Sequence, residues 1–411
     1  MTPLRRFINE IIDGPFGSAL TSSHYVGDGA RVIRLGNIGS SAFRNKDAAF
    51  ISLDYFGDLR RHEVKPGDLL IAGLGDDSHP VGRACVAPEG ISPAIVKADC
   101  FRARLDEARL SHRYAAWALS SSLVAQQVQT MARGSTRARI NLEVAREIRI
   151  PVPAIEEQRR IADFLDAETG KIDNMVSKKR YLVALLEERS DSKILSRVGA
   201  SALVMGSTGE PVMPVRRLLV KVVRSPIADA GVVTAYRDGR VTERSLRRAE
   251  GYTLSGSSEA QGQYVVPGDV VIHGLDGFAG AIGVSEASGN CSPVYHVCEP
   301  LSGGDSHFFG RLLRLLALQG YLGNFATSTR ERAVDFRNWD LFGRILLPVV
   351  PVEEQREIGA AIRRVRPLKE LVERSAALAA KRRQALITAA VTGQFDVSTA
   401  SGRNVTEGIT A

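Results

Sequence analysis

Cysteine is scarce in this chain, with four residues in 411, and so small a number in so long a chain points to a reducing cytoplasm. Cys291, His296 and Cys298 lack the spacing of zinc ligands, so packed cysteines and a strand histidine account for them. No apolar run approaches the roughly 18 residues of a membrane span, and the first residues lack a signal-peptide core. Catalytic signatures are missing too: there is no Gly-x-Ser-x-Gly elbow, no Walker loop and no His-Glu-x-x-His. Gly73-Leu74-Gly75 follows an expected strand without a dinucleotide fingerprint and reads as a tight turn. Asp58 with Glu63-Val64-Lys65 looks superficially like a nuclease metal site, yet Lys65-Pro66-Gly67-Asp68 reads as a turn entering a strand.

What is present is a repeated architecture. Ile150-Pro151-Val152-Pro153-Ala154-Ile155-Glu156-Glu157-Gln158 returns as Leu347-Pro348-Val349-Val350-Pro351-Val352-Glu353-Glu354-Gln355. The prolines end whatever precedes them, and the glutamates put negative charge in the first turn of a helix, where its dipole favours it. Behind the first copy, Ile161, Leu165, Ile172, Met175, Leu182 and Leu186 form the expected seam of a long helix packed on a partner helix. Ile358, Ile362, Val365, Val372 and Leu386 form the second stripe, interrupted by Pro367, where a kink or break is expected. Roughly 40 residues at ~1.5 Å each make rods of ~60 Å.

The regions before the two helices also correspond. Val64-Lys65-Pro66-Gly67-Asp68-Leu69-Leu70-Ile71 returns as Val266-Pro267-Gly268-Asp269-Val270-Val271-Ile272, and a helix over about 111–131 has its counterpart near 308–318. The expected order is a first module over 1–150, a helix over 151–198 and a linker over 199–214. A second module over 215–347, a helix over 348–393 and a polar tail over 394–411 follow. At 44% hydrophobic and 24% charged residues the composition is that of a globular protein, and its net charge of +8 permits nucleic-acid binding.

Three groups of residues suit such binding. Asp13-Gly14-Pro15-Phe16-Gly17-Ser18 is a Gly-rich loop whose backbone can approach a phosphate or groove closely. Ser135, Thr136, Arg137 and Arg139 gather hydroxyls and guanidinium groups, the usual phosphate-contact inventory. Ser328, Thr329, Arg330 and Arg332 do the same at the matching place in the second module.

These residues resemble the DNA-specificity subunits of type I restriction-modification systems. The Asp13–Ser18 loop is similar to the opening of that family's target recognition domains, and the two Pro-rich Glu-Glu-Gln elements to its repeated helix starts. Tyr236-Arg237-Asp238-Gly239 and Cys291-Ser292-Pro293-Val294-Tyr295 resemble it in the second module, whose entry, near Val223–Asp229, has no Gly-Pro-Phe-Gly-Ser. The resemblance implies an α+β fold with two similar target recognition domains, each a mixed sheet with helices. Two long antiparallel helices separate them with pseudo-two-fold symmetry. It implies a non-catalytic cytoplasmic subunit that reads a split site in double-stranded DNA and directs adenine methylation by two methyltransferase subunits, alongside a restriction motor-nuclease. No metal or cofactor is expected in this chain; S-adenosylmethionine, ATP and Mg belong to the partners. DNA contacts are expected at Gly14, Phe16, Gly17, Ser18, Ser135, Thr136, Arg137, Arg139, Arg237, Ser328, Thr329, Arg330 and Arg332. Partner docking is expected at Glu157, Gln158, Glu354 and Gln355. A fused methyltransferase or nuclease would need an Asn-Pro-Pro-Tyr-like or nuclease motif, which is missing, and a protein-binding coiled-coil scaffold leaves the duplicated Ser-Thr-Arg loops unexplained.

Overall fold

The computed structural model describes residues 1–76, 79–134, 137–197, 211–247, 262–325 and 335–397. It divides into two units, one of Met1–Ser177 with Arg374–Ala411 and one of Lys178–Glu373. Each long helix therefore contributes one portion to each unit.

In the first unit a four-stranded antiparallel sheet runs in the order Ile8–Ile12, Cys100–Leu105, Leu69–Ala72, Ala84–Val86. A second sheet joins Tyr25–Val26, Phe50–Ile51, Ala30–Ile33 and Ala94–Val96, the last pair parallel. Leu69-Leu70-Ile71-Ala72 is buried at every position, which a strand covered on both faces requires. The expected helix over 111–131 is two helices, His112–Leu119 and Ser122–Met131. The break falls at Ser120–Ser121, because the Ser121 hydroxyl accepts from the Val124 N–H and starts a new helix. Phe101, Tyr114 and Trp117 share one core with Ile161 and Leu165 of the first long helix and Leu386, Ile387 and Ala390 of the second.

The second unit repeats this sheet in the order Leu219–Lys221, Tyr295–Pro300, Val270–His273, Ile282–Val284, again antiparallel throughout. The repeated Pro-Gly-Asp turn has a physical reason in both. Gly67 and Gly268 adopt φ of +86° and +97°, where a side chain is strained. Asp68 then accepts from the Lys65 N–H at 2.8 Å, and Asp269 from the Val266 N–H at 2.9 Å. The same carboxylates pair with Arg104 and Arg224. The helix Ser306–Leu318 is capped by Asp305 and packs Phe308, Leu312 and Leu316 on Ile272, Ile194 and Ile358.

The first long helix spans Ile155–Arg197, 43 residues, and the second Val352–Val391, 40 residues. Pro367 neither ends nor divides the second helix, contrary to the break its sequence allowed. An interior proline costs about 3 kcal/mol, which burial of Ile358 and Val365 on the same helix offsets. Within the second unit Arg180 pairs with Glu373, Glu187 with Lys369 and Lys193 with Glu357. Numbers rise on one helix as they fall on the other, so the helices run antiparallel there. The expected seam of the first helix is buried only at its start. Ile161 and Leu165 are buried, whereas Met175 and Leu182 are 51% and 60% exposed. Charged pairs, worth about 0–1 kcal/mol each when exposed, flank the buried Val183 on this helix. Beyond the second helix Phe395 packs edge-on against Phe164, so the start of the tail belongs to the first unit's core.

Candidate DNA interface

The Asp13–Ser18 loop is shaped by two close approaches. A Cβ at Gly14 would lie 2.1 Å from the Lys97 carbonyl carbon, so only glycine fits. Gly17 sits at φ +59° and turns the chain into the short helix Gly17–Ala19. Between them Phe16 projects with 51% of its surface exposed. Asp13 accepts from the Gly14 N–H at 2.7 Å, and its carbonyl accepts from His62 Nδ1 at 2.7 Å. Burial pushes the Asp13 carboxyl up to about 6, with Asp99 adding to the rise and the Gly14 hydrogen bond opposing it. Burial also lowers the His62 imidazole below its ordinary range.

Arg139 reaches the same place from far along the chain. Its guanidinium lies 5.9 Å from the Phe16 ring centroid, and its Nε donates to Asp99 at 2.8 Å. Arg133 and Arg139 exchange backbone hydrogen bonds of 2.9 Å each, closing the loop that carries exposed Arg137. The Gly75 N–H donates to the Ala138 carbonyl, and the Ile140 N–H to that of Gly73. Gly73-Leu74-Gly75 is thus the seat of the arginine loop, and a Cβ at Gly75 would meet the Val81 nitrogen at 2.3 Å.

Sequence reasoning missed the aromatic flank. His24 and Tyr55 stack at 4.4 Å, and the Tyr55 hydroxyl donates to Ala19, directly after the Phe16–Ser18 turn. Lys97, the neighbour of Gly14, stands over the Tyr25 ring at 5.8 Å. No local pattern marks these residues, because they meet only across strand pairings. The first unit therefore brings together Gly14, Phe16, Gly17, Ser18, Arg137 and Arg139, while Ser135 and Thr136 lie outside the described residues.

In the second unit Arg237 occupies an exposed hairpin turn and pairs with Asp276 at 2.8 Å. Beside it the Arg247 guanidinium covers the Tyr236 ring at 4.4 Å. Ser328, Thr329, Arg330 and Arg332 lie outside the described residues.

The repeated glutamines turn inward. Gln158 is fully buried. Its Nε2 donates to the carbonyls of Arg109 and Pro153 at 2.9 Å each, and its Oε1 accepts from the Ser111 N–H at 3.0 Å. Gln355 repeats this, donating to Val350 at 2.7 Å and accepting from the Asp305 N–H at 3.3 Å. Ser111 and Asp305 occupy the N-cap positions of the first helix after each sheet, Asp305 alone with its side chain bonded to the helix, so each glutamine fixes a long helix to its own module. Glu157 is half-buried and pairs with Arg160, and Glu354 is half-buried.

The cysteines are buried and free. Burial pushes the thiols of Cys85 and Cys291 up to about 12 and raises those of Cys100 and Cys298 as well, which leaves them inert. His296 donates through Nε2 to the Phe336 carbonyl and packs on Trp339. No helix among the described residues is long and apolar enough to cross a membrane, and no group of three or more metal-ligating side chains occurs among them.

Residues 37–180 match the family model of the type I restriction modification DNA specificity domain. The type I restriction enzyme MjaVIII specificity subunit of Methanocaldococcus jannaschii is 21% identical over 173 residues. That match covers 42% of this chain and 40% of the relative, so the chain spans less than half the length of that protein. A solved structure described as the basis of complex assembly and conformational transition of the type I R-M system aligns at TM-score 0.53. It is 16% identical, and the alignment covers 96% of this chain and 97% of that one. The S subunit of a type I restriction-modification system from M. genitalium aligns over 95% of both chains at TM-score 0.49 and 14% identity.

Proposed function

We propose, with residues 37–180 a member of the type I restriction modification DNA specificity domain family, that the whole chain is a DNA-specificity subunit. It reads a bipartite site in double-stranded DNA, one half with each unit, and has no chemistry of its own. The observation that carries this reading is the duplicated sheet, each copy fastened by a buried glutamine to a long helix. Phe16 and Arg139 supply an apolar contact and a guanidinium on one surface, the pair of groups that reads base edges and phosphates. Exposed Arg137 extends that surface, and Ser135 and Thr136 contribute hydroxyls to DNA binding. Arg237, Ser328, Thr329, Arg330 and Arg332 serve the second half-site. Two methyltransferase subunits dock on the chain near the helix starts, against Glu157 and Glu354, with Gln158 and Gln355 holding those starts in place. The partners bring S-adenosylmethionine, and a restriction motor-nuclease brings ATP and Mg. The assembly works in the cytoplasm.

Purification of the chain with and without a methyltransferase partner, followed by methyl transfer to DNA and sequencing of the modified adenines, tests the proposal. The complex is expected to methylate one split motif and the chain alone nothing. Methylation by the chain alone, or a complex whose motif is indifferent to this chain, overturns it.

A further inference from the structure

The second unit holds a cavity of about 350 Å³ that reading DNA does not require. Ile282 and Val365 line it with apolar surface, and its charged lining mixes arginines, among them Arg240, Arg314 and Arg366, with carboxylates such as Glu286 and Glu370. Gly310 lines it as well, and a Cβ there would come within 3.1 Å of Val284 Cγ2. The volume lies at the lower end of the range of small-molecule sites, about 300–1,000 Å³.

The charges around it do not all find partners. Glu286 and Glu370 are both shared between Arg240 and Arg366. Asp191 takes both arms of Arg311, at 2.5 and 2.7 Å, and Asp238 takes Arg247. Arg314 has no carboxylate partner among the described residues. Its Nη2 makes one 3.3 Å bond to the Arg237 carbonyl, and its Nε is buried with no hydrogen-bond partner among the described residues. A buried guanidinium donor left unpaired is costly, and an oxyanion is the partner that suits a guanidinium without a carboxylate. Burial lowers the Arg314 pKa and the neighbouring Arg311 adds to the fall, while Asp191, Asp238 and Glu187 oppose it from beyond ion-pair distance.

We propose that this cavity binds a small organic anion: a phosphate or carboxylate group on the Arg314 guanidinium, with an apolar body against Ile282 and Val365. The cation excess at Arg314 sets the head group, and the cavity sets the size, about that of a nucleoside monophosphate. Because Arg314 packs on the turn that carries Arg237, where a Cβ at Gly239 would meet Arg314 Cδ at 2.5 Å, occupancy bears directly on that turn.

The test is isothermal titration of the full chain, free of DNA, with adenosine monophosphate, inorganic phosphate and adenosine in separate arms. Saturable binding of the monophosphate is expected, with at least tenfold weaker binding of adenosine. Arg314→Gln is expected to weaken the monophosphate at least tenfold, and Arg139→Gln, on the candidate DNA surface, to leave it unchanged. Circular dichroism checks that the variants fold. Should Arg314→Gln fail to fold, Ile362→Trp, which fills the cavity while keeping Arg314, is expected to cause a similar loss. Binding that survives Arg314→Gln or Ile362→Trp, binding lost instead in Arg139→Gln, or no saturable binding up to millimolar ligand overturns the proposal. None of these outcomes depends on whether the chain directs methylation.

Discussion

The guanidinium of Arg139 stands over the ring of Phe16, 5.9 Å from its centroid, while Asp99 holds Arg139 Nε at 2.8 Å. One residue comes from the entry loop and the other from a loop closed by Arg133, yet they form one surface. An aromatic ring beside a tethered guanidinium offers two kinds of DNA contact, and each has its own signature.

Phe16→Ala is expected to weaken binding of the cognate duplex by the assembled methyltransferase by about 1–3 kcal/mol, with little effect on random DNA. Arg137→Ala is expected to weaken both alike and to reduce the slope of log affinity against log salt by about 1. Binding titrations at several salt concentrations measure both. Equal losses on the two duplexes for Phe16→Ala, or an unchanged slope for Arg137→Ala, would count against these roles.

Gln158→Ala leaves the part-buried Ser111 N–H, and Gln355→Ala the buried Asp305 N–H, without an acceptor. Each is expected to cost about 1–3 kcal/mol of stability, seen as a lower unfolding midpoint. Wild-type melting of both variants, with loss of methyltransferase pull-down alone, would mean that the glutamines serve docking directly.

Asp13 offers a dependence on pH. Burial raises its folded pKa to about 6 from 3.8, so the folded state holds the proton more tightly than the unfolded chain. The stabilisation is complete below 3.8 and is lost as pH rises through about 6. Asp13→Asn keeps an oxygen for the Gly14 N–H and does not titrate. Its stability relative to wild type is expected to climb between pH 4 and 6 and then level off, as read by denaturant unfolding across that range. A difference independent of pH would show that Asp13 is not held in a desolvated site.

The joining helices carry a prediction about the DNA motif. Removal of Lys178–Ala184 deletes seven residues, two turns of a coiled-coil repeat, and shortens the first helix by ~10 Å, about three base pairs of rise. Those base pairs also turn the duplex by roughly a third of its ~10-base-pair repeat, so some flexure is expected. Sequencing of methylated adenines in a strain carrying the deletion should return the same two half-sites with a shorter gap. An unchanged gap would mean that helix length does not set it.

Much of this protein is determined by its local sequence. Pro66-Gly67-Asp68 and Pro267-Gly268-Asp269 encode their turns through a left-handed glycine and an aspartate that bonds back to the main chain. The proline-bounded Glu-Glu-Gln elements encode two helix starts, and their repetition encodes two modules of one fold. Those features rest on interactions within a few residues, which periodicity and turn chemistry report. Tertiary structure alone decided the rest. Gln158 sits among charged residues at a helix start, where partner docking is expected, but packing within each module turned it and Gln355 inward to meet Ser111 and Asp305. Met175 and Leu182 keep helical spacing, yet no apolar partner covers them, so they stay exposed. Phe16 meets Arg139, and Arg314 Nε is buried without a hydrogen-bond partner among the described residues, only because strands distant in sequence pair in one order. Contacts of that kind depend on which segments close upon which, and no local spacing carries that information.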